Sequence, residues 1–523
     1  MRNSIILFAV VFLILLTSSL VLIPLTSGDW MMFRSDPSHS GVGIGNPMLT
    51  PTLLWKYPIC NNTSGVNDVS SPSVANGVLY IGSYDGNVYA LNAQSGAKLW
   101  NYTAGYPVDS SPAVVNGVVY VEGTWDHNVY ALKASDGTKL WNYSTAGSSE
   151  SSPVVVGGVV YIGSDDGNVY ALKASNGAKL WSYDTGYGFL SSPVVSDGVV
   201  YIDSGDNYVY ALNATSGAKL WSYNAGNWVD SSPAVIGGVV YGNSGGGFIG
   251  VPVFNGSVYA LNAANGTQLW SHYTGGGMSS PAVVDNVVYI GSGNNNVYAL
   301  NATSGAKLWS YNAGNWVDSS PAVVGGVVYG NSGGGFIGVP VFNGSVYALD
   351  ATNGTQLWNH YTGGGMSSPA VVDNVVYIGS DDNTFYALNV TSGAQLWNFN
   401  AEGGFFSSPA VVGGVVYVSS DDGKIYALNA ANGVQLWNYT AGGGFESSPA
   451  VVNGIIYVSS DDGNVYALGD SPSTSPSHSL TLNPSTTPTV PEFAAQLLTI
   501  TLVVLMLIVS STVIIAKKKM TSR

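Results

Sequence analysis

The sequence predicts an all-β protein: a single β-propeller of ten four-stranded antiparallel blades, closed by an N-terminal strand and flanked by N- and C-terminal hydrophobic helices. The main observation is a Ser-Ser-Pro tripeptide that recurs ten times, most often 40 or 41 residues apart. A second is composition: 67 glycines and only 9% charged residues, with many valines and tyrosines, are typical of tightly turned β structure. Self-similarity at this period indicates propeller blades.

Each repeat contains three landmarks in the same order. The Ser-Ser-Pro prolines are Pro72, Pro112, Pro153, Pro193, Pro233, Pro281, Pro321, Pro369, Pro409 and Pro449. The Tyr-Ala-Leu tyrosines are Tyr89, Tyr130, Tyr170, Tyr210, Tyr259, Tyr298, Tyr347, Tyr386, Tyr426 and Tyr466. The Leu-Trp tryptophans are Trp55, Trp100, Trp141, Trp181, Trp221, Trp270, Trp309, Trp358, Trp397 and Trp437. We interpret the aromatic residues as packing between neighbouring sheets, where they bury large apolar areas.

One repeat, residues 151–183, shows how four strands arise. We expect strands at 151–156, 159–163, 169–172 and 179–183. Glycine-containing pairs such as Asp166-Gly167 separate them, and such pairs tolerate the positive φ that tight hairpin turns need. No helical periodicity interrupts the pattern. Ser-Ser-Pro therefore marks the start of a strand and is not interpreted as a catalytic nucleophile.

The motifs Gly-x-Val-Tyr-Ala-Leu, Leu-Trp and Ser-Ser-Pro-x-Val together resemble the pyrroloquinoline-quinone (PQQ) enzyme repeat. The segment 29–41 is also similar to the start of such domains, and we assign residues 29–469 to the propeller. That family includes quinoprotein dehydrogenases and the propeller lipoprotein of the bacterial outer-membrane assembly machinery. The resemblance therefore implies a propeller but leaves open whether the protein is an enzyme.

The two ends of the repeat region complement each other. The last repeat stops after Leu468 without an outer strand, whereas Leu53–Tyr57 precedes the first Ser-Ser-Pro. An N-terminal strand that completes the last blade would close the ring and leave no free edge there. The sequence thus predicts one ring.

Ten blades exceed the usual four to eight, and a duplication explains the excess. Residues 221–308 and 309–396 are nearly identical, which indicates that two blades were copied in an eight-blade ancestor. A strained eight-blade ring with two extra units, or two smaller rings, is the alternative.

The cofactor chemistry of the resembled enzymes is not expected here. The resemblance implies paired cysteines, a calcium ion and a catalytic carboxylate, but Cys60 is the only cysteine. The Asp-Asp-Gly turns are interpreted as hairpin caps rather than calcium ligands. The histidines have no metal-ligand spacing. We therefore predict no catalytic, cofactor-binding or metal-binding residues, and a PQQ-dependent oxidoreductase remains the alternative.

A binding face is the favoured functional hypothesis. Turns between second and third strands and connections between blades should lie on one face, and they carry aromatic residues: Tyr106, Tyr187, Phe189, Trp228, Phe248, Trp316, Phe336, Phe405, Phe406 and Phe445. Phe248 and Phe336 lie in eight-residue expansions of the duplicated blades. Aromatic rings suit a protein or glycan partner, as in an adhesin. The alternative is that these rings plug the inner rim of the propeller.

Charge excludes one class of partner. The net charge is −15, and no basic cluster occurs before the last seven residues. Nucleic-acid binding depends on lysine and arginine contacts to phosphates. We therefore expect no nucleic-acid partner.

The chain ends predict export and a membrane tether. Residues 1–28 resemble a signal peptide or N-terminal anchor, and residues 470–493 are a Ser/Thr/Pro-rich stalk. Residues 494–516 are long and apolar enough for a transmembrane helix, and the basic tail 517–523 would hold its end in the cytoplasm. The propeller would then lie on the extracellular face of the cell membrane.

The tail and the sequons add two expectations. Pro491-Glu492-Phe493 before the apolar segment resembles archaeal carboxy-terminal sorting signals, which implies replacement of the helix by a lipid. Asn-x-Ser/Thr sites indicate a glycosylated surface protein. They are Asn61, Asn62, Asn101, Asn142, Asn213, Asn255, Asn265, Asn301, Asn343, Asn353, Asn389 and Asn438.

Overall fold

The computed structural model describes residues 51–470 except 60–69, 71, 109, 149–150, 190, 228, 230–232, 246–255, 278, 280, 318, 334–343, 366, 446 and 453. The predicted signal peptide (1–28), stalk after Asp470, transmembrane helix (494–516) and basic tail (517–523) lie outside these residues. Within the described ranges, no helix has the length and apolar character that crossing a membrane requires.

Forty strands form the described part of the chain, and all belong to four-stranded antiparallel sheets. The first twenty-one are β1 Pro51–Pro58, β2 Ser73–Ala75, β3 Val78–Gly82, β4 Asn87–Asn92, β5 Lys98–Thr103, β6 Ala113–Val115, β7 Val118–Gly123, β8 Asn128–Lys133, β9 Lys139–Ser144, β10 Val154–Val156, β11 Val159–Gly163, β12 Asn168–Lys173, β13 Lys179–Asp184, β14 Val194–Ser196, β15 Val199–Asp203, β16 Tyr208–Asn213, β17 Lys219–Asn224, β18 Ala234–Ile236, β19 Val239–Asn243, β20 Ser257–Asn262 and β21 Gln268–Tyr273. The remainder are β22 Ala282–Val284, β23 Val287–Gly291, β24 Asn296–Asn301, β25 Lys307–Asn312, β26 Ala322–Val324, β27 Val327–Asn331, β28 Ser345–Asp350, β29 Gln356–Tyr361, β30 Ala370–Val372, β31 Val375–Gly379, β32 Thr384–Asn389, β33 Gln395–Asn400, β34 Ala410–Val412, β35 Val415–Ser419, β36 Lys424–Asn429, β37 Gln435–Thr440, β38 Ala450–Val452, β39 Ile455–Ser460 and β40 Asn464–Asp470.

Nine blades are built from consecutive strands, and the tenth joins the two ends of the propeller. Blade 1 is β2–β5, and each later group of four strands forms the next blade up to blade 9, β34–β37. Blade 10 has the order β1-β40-β39-β38, so the N-terminal strand is its outer strand. In this sheet Pro51 pairs with Asp470 and Pro58 pairs with Asn464. The predicted closing strand is confirmed and extends the expected Leu53–Tyr57.

The ring is closed because a hydrophobic cluster lies between every pair of neighbouring blades. Nine clusters join consecutive blades along the chain. The tenth packs Trp55 and Val465 of blade 10 against Leu79 and Leu91 of blade 1. Ten blades with ten interfaces form one ring, which confirms the single ten-blade propeller over two smaller rings or an eight-blade ring with extra units.

The Leu-Trp and Tyr-Ala-Leu motifs form these interfaces, as predicted. Trp100 of blade 1 is buried and donates its indole N–H to the Ala134 carbonyl of blade 2 at 2.9 Å. The Tyr80 hydroxyl donates to the same carbonyl at 3.3 Å. Gly137 of blade 2 lies against the indole, where an added Cβ would be 2.5 Å from Trp100 Cε3. Each tryptophan therefore joins its own sheet to the next one.

Ser-Ser-Pro begins the innermost strand with side-chain hydrogen bonds. The Ser110 hydroxyl accepts from the Glu122 backbone N–H at 2.8 Å and donates to the Glu122 carbonyl at 3.0 Å. It thereby extends the ladder of a strand that is only three residues long. The second serine acts between blades, since Ser111 N–H donates to the Ser152 hydroxyl at 3.2 Å. Proline suits this position because the ladder needs no further backbone donor there.

The strands expected from repeat 151–183 are confirmed with small shifts. The innermost strand is shorter, Val154–Val156, because the Ser151 hydroxyl accepts from the Gly163 N–H in place of backbone pairing. The third strand, Asn168–Lys173, is one residue longer at each end than predicted.

Candidate functional site

Two kinds of loop meet on one face of the ring, which we call the upper face. It comprises the turns between the second and third strands of each blade and the connections from each outer strand to the next blade. In blade 1 the backbone N–H groups of Ala104 and Gly105, in the connection, donate to the Gly86 carbonyl of the turn at 2.8 and 3.2 Å. The expectation that both loop types lie on the same face is therefore confirmed.

In most blades, an aspartate in the upper-face turn joins the neighbouring parts of the blade by hydrogen bonds. In blade 3 the Tyr170 hydroxyl donates to Asp166 Oδ2 at 2.6 Å, and the Asn168 N–H donates to Oδ1 at 2.8 Å. The Ala146 N–H, which arrives from blade 2, donates to Asp166 Oδ2 at 2.8 Å. The carboxylate thus binds its own turn, its own third strand and the incoming connection.

These hydrogen bonds change the acidity of both partners. Burial by itself raises the pKa of Asp166, but the hydrogen bonds from Tyr170, Ala146 and Asn168 outweigh it and lower the pKa below the ordinary value. Burial, followed by the hydrogen bond to Asp382, raises the pKa of Tyr386 in blade 8 to about 12. The Asp166 carboxylate is therefore an ionised structural acceptor at neutral pH.

Three of the predicted partner-binding residues are buried, which corrects that prediction. Phe189, Phe405 and Phe445 are fully buried in inter-blade clusters. Each lies four residues before a Ser-Ser-Pro proline, where blades 2, 5 and 7 have the buried residues Val108, Val229 and Val317. The position four residues before the proline is therefore a core position. Its fixed spacing from the proline is the sequence feature that identifies it as one.

The other seven predicted residues differ in placement. Tyr106 and Tyr187 are exposed on the upper face, by 52% and 63% respectively. Trp316 and Phe406 are half-buried. Trp228, Phe248 and Phe336 lie outside the described residues.

Two further aromatic residues lie on this face that the sequence-based prediction of the binding face did not include. Trp125 is 54% exposed, and its ring makes an edge contact with Tyr84 at a centroid distance of 5.9 Å. Both occupy the turn position at which other blades have aspartate or glycine, such as Asp165 or Gly293. An aromatic residue at this turn position of the repeat is the sequence feature that identifies both of them. We call Tyr84, Tyr106, Trp125 and Tyr187 the aromatic arc, which spans blades 1–4.

The neighbouring blades 8–10 present acidic side chains at the same turn position. Asp421 and Asp461 approach each other around Gly444, since a Cβ there would lie 2.7 Å from Asp421 Oδ1 and 3.0 Å from Asp461 Oδ2. Asp381 is partly buried, and burial followed by the charge of Asp382 raises its pKa to about 6. The upper face is thus aromatic on one side and acidic on the adjacent side.

Two carboxylates also lie inside the sheets. Glu122 in blade 2 and Asp203 in blade 4 occupy the last core position of the second strand and are fully buried. The backbone of each is bonded to a Ser-Ser-Pro serine, Ser110 and Ser191 respectively. A whole blade separates these two carboxylates, so they do not form an acid–base pair.

PQQ and calcium chemistry, as the resemblance implies it, would need paired cysteines and a group of metal ligands. A single cysteine, Cys60, cannot supply a cysteine pair, and it lies outside the described residues. Among the described residues, no three His, Cys, Asp or Glu side chains gather as a metal-binding group.

Three solved structures of known proteins match this chain at low sequence identity. The solved structure of BamB from Moraxella catarrhalis has 20% identity and a TM-score of 0.43, and the match covers 69% of this chain and 96% of that one. A europium-containing methanol dehydrogenase has 14% identity and a TM-score of 0.48, with 87% and 100% covered. The quinohemoprotein alcohol dehydrogenase of Comamonas testosteroni has 15% identity and a TM-score of 0.48, with 85% and 81% covered. No curated protein matches the chain significantly.

The repeats themselves match a family model described as outer membrane protein assembly factor BamB. The matched segments are residues 49–186, 126–253, 254–342 and 342–471. Together they span the whole ring, and so the chain belongs to this family of PQQ-repeat β-propellers.

Proposed function

We propose that the protein is a non-catalytic binding module, held at the cell membrane with its propeller outside the cell, whose aromatic arc binds a protein or glycan partner. The observation that carries this proposal is the exposure of Tyr106, Trp125 and Tyr187 on one face of the closed ring. Exposed aromatic side chains that lie close together are typical of a contact surface, and they lose little conformational entropy on binding.

The scaffold beneath the arc supports this role. The backbone of Tyr106 packs against the Gly86 turn, so that a Cβ on Gly86 would lie 3.0 Å from Tyr106 N. The backbone of Tyr187 lies equally close to Gly167 in blade 3. Loops held this tightly present their side chains in fixed positions, which reduces the entropic cost of association.

Three turn carboxylates beside the aromatic arc serve as structural acceptors. Asp85, Asp126 and Asp166 each accept a hydrogen bond from the tyrosine four residues later. These hydrogen bonds hold the turn against the third strand of the same blade. The arc therefore offers flat apolar rings beside polar backbone, a combination that suits sugar rings or an aromatic-rich protein surface.

The experiment has two arms that use the full chain. Crosslinking on intact cells identifies a protein partner, and a glycan array identifies a carbohydrate. The double variant Trp125→Ala plus Tyr187→Ala should lose the interaction found. Tyr361→Ala, which removes an equally exposed aromatic ring from blade 7, should retain it. An interaction that survives the double variant would rule out the aromatic arc as the binding site.

A further inference from the structure

The edge of the ring opposite the upper face is unevenly charged. This lower edge comprises the turns between third and outer strands, the hairpins between the first two strands, and the start of each outer strand. Blades 1–4 carry six exposed lysines here: Lys98, Lys133, Lys139, Lys173, Lys179 and Lys219. Four of them begin the outer strands β5, β9, β13 and β17.

Most of these lysines carry uncompensated charge. Lys133 is paired with Asp136 at 2.6 Å, whereas no salt bridge among the described residues includes the other five. The lower edge of blades 1–4 has one further acidic residue, Asp197. The lower edge of blades 1–4 is therefore strongly positive on a protein whose net charge is −15.

Blades 5–8 show the opposite balance at the same positions. They have one lysine, Lys307, and three aspartates, Asp285, Asp350 and Asp373. Glutamine begins the outer strand in blades 5, 7 and 8, as Gln268, Gln356 and Gln395. The repeat thus accepts glutamine where blades 1–4 have lysine, so the fold itself does not require lysine.

An exposed leucine follows each of the four outer-strand lysines. Leu99, Leu140, Leu180 and Leu220 are each 46–47% exposed on the outer strand. A cationic head beside an apolar side chain is the combination that binds the interface of an anionic bilayer, where the ammonium meets phosphate and the leucine meets the acyl boundary.

The chain also leaves the ring at this edge. β40 runs from the upper-face turn of blade 10 to Asp470, which pairs with Pro51 at the lower edge. Blade 10 is the neighbour of blade 1, where the lysines begin. Residues 471–493 then lead to the apolar segment 494–516.

We propose that the lower edge of blades 1–4 docks onto the anionic lipid headgroups of the membrane that holds the C-terminal segment. The contact rests on the membrane tether within the proposed function and is independent of the aromatic arc. Docking here directs the upper face, with its aromatic arc, away from the bilayer. The tether keeps the local concentration of headgroups high, so individually weak lysine contacts suffice.

The test uses the full chain with Cys60→Ser, reconstituted in vesicles of phosphatidylglycerol and phosphatidylcholine in equal parts. A fluorophore is attached through Leu140→Cys on the basic edge or through Leu357→Cys, the matched position beside Gln356 in blade 7. Headgroup nitroxides should quench the label at position 140 and leave the label at position 357 bright. Quenching should disappear in phosphatidylcholine alone and at 1 M salt, where the Debye length is about 3 Å.

The decisive variant combines Lys98→Gln, Lys139→Gln, Lys179→Gln and Lys219→Gln, which copies the residue of the other blades. It should lose the quenching at position 140 while its thermal unfolding is unchanged. Equal quenching at both positions, or quenching that the four substitutions leave intact, would overturn the proposal. Binding of soluble heparin without headgroup quenching would assign the edge to a polyanion instead.

Vesicle flotation is measured for every labelled protein and every lipid and salt condition of this experiment. Protein that floats without quenching contradicts the docking alone, whereas protein that fails to float contradicts the tether. Partner binding by Trp125 is measured separately, so its failure is distinguishable from both.

Discussion

The indole N–H of Trp55 donates to the carbonyl of Ala93 at 3.0 Å, and this bond joins the N-terminal strand of the ring to blade 1. The Tyr457 hydroxyl, from near the other end of the ring, donates to the same carbonyl at 3.0 Å. Residues from both ends of the propeller thus converge on one acceptor in blade 1. The joint repeats the Trp100–Ala134 contact, although no hairpin connects β1 directly to the other strands of its sheet.

The closing contact gives a first prediction. Trp55→Ala should lower the free energy of unfolding by about 3–5 kcal/mol, because it removes a buried indole and leaves a cavity. Trp309→Ala removes the equivalent side chain at a joint away from the closure, where the bond to Ala351 is 2.9 Å. In urea denaturation, the free energy of unfolding should fall at least as much in Trp55→Ala as in Trp309→Ala. A clearly smaller loss would mean that β1 does not close the ring.

The glycine beneath each tryptophan gives a second prediction. Gly137→Ala should be strongly destabilising, since the residue has a φ of +72° and its Cβ would lie 2.5 Å from the Trp100 ring. Gly117→Ala is the matched control: its φ is +76°, and nothing lies within 4 Å of the added Cβ. The control should lose about 1–2 kcal/mol from the left-handed backbone alone. The ring contact should add about 1–3 kcal/mol at Gly137, and equal losses would contradict the packing.

The raised pKa of Asp381 gives a pH dependence. Its folded pKa is about 6, against an ordinary value of 3.8, so the folded protein binds more protons than the unfolded chain between these values. Its contribution to stability is therefore complete below about pH 4 and is lost as the pH rises through 6. Because the carboxyl is partly solvated, the loss should be about 1 kcal/mol. Urea titrations at several pH values measure this dependence of the free energy of unfolding on pH. Asp381→Asn should abolish the dependence, whereas Asp197→Asn, which removes an exposed charge, should keep it.

The turn sequons give a fourth prediction. Asn389 Oδ1 accepts hydrogen bonds from Thr391 N–H, Ser392 N–H and the Ser392 hydroxyl at 3.0–3.1 Å. A glycan on Nδ2 would leave this oxygen free to cap the turn, so modification is compatible with the folded blade. Peptide mass spectrometry of protein secreted from an N-glycosylating cell should find Asn389 modified. Asn429, at the same turn position but followed by Ala430-Ala431, should stay bare. An unmodified Asn389 beside a modified C-terminal reporter sequon would contradict this prediction.

The repeat pattern by itself determined the strands, the number of blades and the closing strand at Trp55. Those features depend on local turn chemistry and on which end of the repeat region lacks a strand, and both can be read from the sequence alone. The two-blade duplication was also readable, because it preserves residue identities over 221–308 and 309–396.

Only the tertiary structure decided which loop aromatics reach solvent. Phe189 and Tyr187 are two residues apart, yet one is fully buried between blades and the other is 63% exposed. Their difference depends on the neighbouring sheet, where Gly163 leaves room for the Phe189 ring. The basic lower edge likewise emerged only when lysines 40 residues apart in sequence came to lie side by side, because a ring brings equivalent positions of successive repeats together.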